Sequence, residues 1–223
     1  MGIYIEAIIL YILIFFSGSA AAFSLNPGEF SITAEIYKSA LHTIPSLALI
    51  WYLVNKSKMT DVLLVRGYYV PASTLDVRFR KNDLISAARA LPCLLAAGIV
   101  TTIASSISGT TARIIVYAPV TAAGWITLCV SCFLGAYLEE SYFRFYLLSK
   151  RNEFNLNAKG ALALSVILFA ACHIYAGPWS FINALISGVV LGFIFLRYNA
   201  IHGLAIAHGL YNIIAYYVNT MSN

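Results

Sequence analysis

Charge is what this 223-residue chain has least of. Asp, Glu, Lys and Arg together make up 10% of it, against about 25% in an ordinary soluble domain. The shortage is concentrated: residues 114–138 and 160–196 contain no Asp, Glu, Lys or Arg at all. Apolar runs of that length exclude a water-facing surface and read as membrane-spanning helices. With 61% hydrophobic residues and a mean hydropathy of +0.81, nothing is left over for a sizeable soluble domain. One integral membrane domain over residues 1–223 is expected.

Other absences narrow the chemistry. The first apolar run has neither a basic n-region nor a small-residue cleavage site, so it reads as a retained span rather than a signal peptide. Four cysteines, Cys93, Cys129, Cys132 and Cys172, all fall inside apolar runs and read as small buried hydrophobes. Cys129 and Cys132 form a CxxC, but no second pair completes a metal site. No internal repeat and no low-complexity tract is present. The net charge of +5 is no nucleic-acid patch, because its Lys and Arg residues cluster between apolar runs, where the orientation rule for cytoplasmic loops places them.

The runs predict an all-α, polytopic transmembrane helical bundle of about seven spans. The first covers residues 3–23, carrying Glu6 near its start and closed by Asn26-Pro27-Gly28. The second covers 32–54, with Glu35 and Lys38 near its outer end and His42 as an interfacial or packed histidine. Residues 55–83 hold Lys56, Lys58, Arg66, Arg78, Arg80 and Lys81 and form the main cytoplasmic loop, with an extended piece. The third span covers 84–107, with Arg89 near its inner boundary and a kink at Pro92. Beyond the turn Ser108-Gly109-Thr110-Thr111, the fourth helix begins near Ile114 and continues to Lys150. The charge-free run 160–196 is too long for one span, and Gly177-Pro178 divides it in two. The last span covers 201–218. Positive charge follows spans two, four and six, whereas the opposite connections hold only Arg113, which predicts an N-in, C-out chain.

Against this background Glu139 and Glu140, at the inner end of the fourth span, are costly to place and mark a functional site. Neighbours on a helix point about 100° apart, so the two carboxylates face different surroundings. Glu140 and Arg144 stand at i, i+4 and can form an ion pair, leaving Glu139 as the carboxylate free to act as a base. His173 lies in the fifth span; His208 and Asn212 lie one turn apart on the seventh. Counted at about 1.5 Å per residue, Glu140, His173 and His208 all fall near the middle of a hydrocarbon core about 30 Å thick.

Glu139-Glu140-x-x-x-Arg144, Phe169-x-x-x-His173 and His208-x-x-x-Asn212, in that order on three spans, resemble the CAAX protease and bacteriocin-processing (CPBP, or Abi) family of glutamate-type intramembrane endopeptidases. Residues 187–197, leading into Ala205-Ile206-Ala207-His208, resemble the family's last motif block. The resemblance covers 75–223, as a catalytic region, and leaves the two spans in 1–54 unassigned. Its prenyl endopeptidases resemble an eight-span arrangement, one more than is counted here. The resemblance implies that Glu139 and His173 activate water, that His208 and Asn212 stabilise the oxyanion, and that Glu140 and Arg144 support them. It implies a substrate that is a membrane-associated protein or peptide carrying, for example, a prenyl group, a leader or a sorting tail. The lipid bilayer is the other partner, and a prokaryotic plasma membrane the expected location.

No cofactor is expected. Two histidines and a glutamate could hold zinc with an open position for water, but the HExxH signature is absent, which disfavours a zinc-dependent protease using the same residues. A non-catalytic transporter or immunity-type membrane protein is the other alternative; neither an inverted repeat nor a pair of broken helices supports a transporter.

Overall fold

The computed structural model describes residues 2–16, 29–56, 63–65, 68–70, 79–109 and 117–221, and these form an all-α membrane helical bundle. Helix α1 is Gly2–Phe16. Helix α2 runs through Ile32–Lys38, a wider π turn at Ser39–Thr43, and Ile44–Lys56. Then come α3 (Lys81–Ser108), α4 (Ala122–Ser149), α5 (Ala158–Ala171), α6 (Pro178–Tyr198) and α7 (Ile201–Met221). In the polar stretch between α2 and α3, Leu63–Val65 and Tyr68–Val70 pair as a small antiparallel ladder. Asn26-Pro27-Gly28, residues 71–78, Thr110, Thr111 and Arg113 lie outside the described residues.

Among the described residues, three helices, α3, α4 and α6, are both long and apolar enough to cross a membrane. The break at Gly177-Pro178 is where the sequence puts it: Gly177 takes φ 98°, open to glycine, and Pro178 opens α6. Pro92 sits inside a continuous α3. The start of α4 differs from expectation. Residues 117–120 are not helical, because Pro119 disfavours helical backbone just before it. Thr121 then caps the helix, its Oγ1 accepting from the Gly124 amide at 3.1 Å. The π turn in α2 also has a local cause. Pro45 lacks an N–H and its ring would strike the carbonyl of Leu41, and the turn just before it widens so that the Ile44 amide reaches back to Ser39.

The outside of the bundle is apolar, as lipid requires. Ile99, Val100, Ile103 and Ile107 of α3, and Val189 and Phe193 of α6, are all exposed. Inside, α7 packs against α3 and α4, α6 packs against α3 and α5, and the end of α4 touches α2, α5, α6 and α7.

One carboxylate joins two helix beginnings. Asp83 is buried; its Oδ2 accepts the Arg80 amide at 2.9 Å, capping α3, and its Oδ1 accepts the Gly203 amide at 3.0 Å, capping α7. Both are N-terminal ends, whose dipoles favour a negative charge. The approach is so close that a Cβ on Gly203 would lie 2.0 Å from the Asp83 carbonyl oxygen, whereas one on Gly135 of α4 would meet nothing within 4 Å. Gly203→Ala should therefore destabilise the protein by about 3 kcal/mol, read as a lowered melting temperature in detergent, while Gly135→Ala leaves it unchanged or higher. Equal melting of the two variants would contradict this contact.

Candidate active site

Residues 140–150 are buried without interruption, so the end of α4 is a helix covered on every side. Regular α geometry stops at Glu140, and Ser141–Tyr146 form a π turn, a feature often found at functional sites. Aromatic side chains fill the widened turn: the rings of Tyr142 and Tyr146 stack at 5.6 Å and 17°.

The glutamate pair and Arg144 lie in this segment. The Glu140 and Arg144 side chains are both fully buried, with Arg144 Nη1 3.3 Å from Glu140 Oε1, at the spacing the sequence suggested. The same Oε1 lies 2.9 Å from His208 Nδ1. A carboxylate can only accept here, so Nδ1 carries the hydrogen and Glu140 orients the imidazole. The other ring nitrogen, Nε2, faces Glu139, 3.6 Å from its Oε2. Glu139 thus differs from Glu140 as anticipated, being partly open, with 23% of its side chain exposed. Its Oε2 is buried and has no hydrogen-bond partner. The two carboxylates occupy different surroundings yet meet opposite edges of one histidine.

His173 is placed differently from the expectation of a residue within a long span. Helix α5 has 14 residues, about 21 Å of rise, and ends at Ala171, so His173 sits in the turn between α5 and α6. There its Nδ1 is 2.8 Å from the Phe169 carbonyl oxygen; because a carbonyl only accepts, Nδ1 is the protonated nitrogen and Nε2 carries the lone pair. Non-helical backbone at such a position is tolerated where it is buried in protein or lines a polar cavity. Asn212 is half-buried on α7, one turn beyond His208.

Phe169 connects these groups. Its ring lies 4.9 Å from that of His173 and 5.9 Å from that of His208, and the Arg144 guanidinium carbon sits 4.3 Å from its centroid. The cation is therefore held partly by an aromatic face. The sequence displays Phe169 only as a motif letter four residues before His173.

The supporting shell from α1 and α2 was not readable at all. Tyr142 donates to the Ala7 carbonyl at 2.7 Å, Tyr146 to Glu6 Oε1 at 2.6 Å, and Tyr11 to the Leu168 carbonyl at 2.8 Å. Lys150 Nζ stands 3.2 Å from Glu6 Oε1, and Trp51 Nε1 donates to Ser141 Oγ at 3.0 Å. Residues about 140 positions apart meet here, and nothing in local sequence announces such pairs.

Among the described residues, no three of His, Cys, Asp and Glu are grouped as a metal-ligand set.

The buried ion pair generates a stability expectation. Arg144→Ala should destabilise the protein by about 3–5 kcal/mol, since Glu140 would keep its charge without a cationic partner. Adding Glu140→Gln should recover part of that loss. Melting of the two variants in detergent measures both, and an unchanged melting temperature for Arg144→Ala would remove the pair from the fold's supports.

Comparison with known proteins gives one result. No curated protein and no solved structure matches the chain. Residues 121–214 match the family described as Type II CAAX prenyl endopeptidase Rce1-like, and that stretch contains α4, α5, α6, most of α7 and the three motifs. The match covers less than half of the chain, and over that stretch the chain is similar to the CAAX-type membrane proteases that its three motifs resemble.

Proposed function

We propose that the chain is a glutamate-type intramembrane endopeptidase, acting as one membrane unit, in which Glu139 is the base. The observation that carries this reading is Glu139 itself: a partly exposed carboxylate with an unpartnered buried oxygen, beside one nitrogen of a histidine whose other nitrogen is engaged by Glu140. Glu139 takes a proton from water as the water oxygen bonds to the peptide carbonyl carbon. His173, with its lone pair on Nε2, helps to hold that water. The carbonyl oxygen becomes an oxyanion and receives hydrogen bonds from the Nε2–H of His208, whose ring carries a hydrogen on both nitrogens in this reading, and from the Asn212 amide group. When the intermediate collapses, the C–N bond breaks and the leaving amine takes the proton held by Glu139. Glu140 fixes the His208 ring, and Arg144 balances the charge of Glu140.

The substrate in this reading is a membrane-associated protein or peptide cleaved near a prenyl group, a leader or a sorting tail, in a prokaryotic plasma membrane. Water is activated without a metal.

Glu139→Gln tests the base. It preserves shape and one acceptor oxygen but cannot accept the proton, so cleavage of a peptide panel should fall by about 10²–10⁴-fold with the melting temperature unchanged. Retained cleavage would take the base's role from Glu139. Wild-type activity should also persist after exhaustive chelation; loss of cleavage that zinc restores would favour the metal-dependent alternative. In cells, a membrane-protein terminus present with wild type and missing with Glu139→Gln would identify the substrate.

A further inference from the structure

Outside the site, two arginines share one tyrosine where α3 begins and α6 ends. Arg89 Nη1 donates to the Tyr198 hydroxyl oxygen, and Arg197 Nε lies 3.3 Å from the same atom. Both guanidiniums also lie against the Tyr198 ring, with their central carbons 5.3 Å and 5.7 Å from its centroid. Two like charges are thus held side by side, and among the described residues neither meets a carboxylate. The nearby acid, Asp83, is buried, its two oxygens bound to the amides of Arg80 and Gly203.

The dipole of α6 accounts for Arg197, which stands in its last turn. It does not account for Arg89, which comes from α3, past that helix's beginning. Each guanidinium has five N–H donors and spends one on Tyr198. The phenol oxygen accepts from both, which leaves its own hydrogen to donate. The result is a group of outward-facing donors carrying two positive charges: the chemistry that receives a phosphate.

The surface below this group says what the phosphate belongs to. From Arg89, the same face of α3 continues through Cys93, Ala96 and Val100; from Arg197, the same face of α6 runs back through Phe193, Val189 and Ile186, and all of these are exposed. A polar head above an apolar stripe on each of two adjoining helices has the layout of a phospholipid. We propose that Arg89, Arg197 and Tyr198 bind the headgroup phosphate of an anionic phospholipid whose acyl chains lie along these faces of α3 and α6.

The experiment uses the full chain purified in neutral detergent and titrated with dioctanoyl phosphatidylglycerol, dioctanoyl phosphatidylcholine or inorganic phosphate, read by melting temperature and native mass spectrometry. Phosphatidylglycerol should raise the melting temperature and remain bound, with the other two having little effect. Arg89→Gln/Arg197→Gln should weaken phosphatidylglycerol binding by about 30-fold, whereas Arg151→Gln/Lys159→Gln, which removes the same charge elsewhere, should not. Tyr198→Phe keeps the ring and both charges; it should weaken binding less than the double arginine variant. Equal loss in the two charge-matched double variants would overturn the site in favour of diffuse attraction. An equal response to inorganic phosphate or to phosphatidylcholine would overturn the assignment to an anionic lipid. None of these readouts depends on peptide cleavage.

Discussion

Arg144 stands in the middle of the bundle with its side chain fully buried, and most of the architecture can be understood as what is needed to keep it there. Removing an ion from water costs several kcal/mol even after relaxation, so counter-charge and polarisable surface must come from the protein. Glu140 supplies the charge from one turn earlier on α4, and Phe169 supplies an aromatic face from α5. His208, from α7, then binds the carboxylate that Arg144 neutralises. Three helices are thereby fixed at one point before any substrate is considered. The same contacts that make the charge tolerable also set the orientation of a histidine next to a second, less constrained glutamate.

The division of labour along the chain follows from this. The stretch 121–214, where the family match lies, contains Glu139, Glu140, Arg144, His173, His208 and Asn212. What surrounds it comes largely from elsewhere. Helix α3 is tied to the start of α7 through Asp83, and α1 and α2 close over the widened turn of α4 through tyrosine and tryptophan hydrogen bonds. The candidate site of short motifs is therefore enclosed by segments whose contribution is packing.

How much of this could be read beforehand varied with the range of the interaction. Apolar runs gave the helices, and the glycine–proline pair gave the break at residue 177, because both are properties of consecutive residues. The i, i+4 relation of Glu140 and Arg144 was legible for the same reason and survives the π turn that follows Glu140. The position of His173 beyond the end of α5 was not legible, since an unbroken apolar sequence does not reveal that the helix stops at Ala171. Nor was the start of α4, where Pro119 and Thr121 outweigh a hydrophobic run that continues through them. The docking of α1 depends on tyrosine hydroxyls reaching carbonyl oxygens of distant helices, and a carbonyl carries no mark in the sequence.

The clasp between α1 and α4 also has a consequence in time. Glu6 bonds to Tyr146 and Lys150, the latter 144 residues further along. At translation rates of about 5–20 residues per second, roughly seven to thirty seconds separate their synthesis. Through that interval α1 must hold a carboxylate at the membrane boundary with neither partner yet made, so water or lipid headgroups must serve it. The enclosure of the candidate site is accordingly a late event in biogenesis, completed only after α4 has been made.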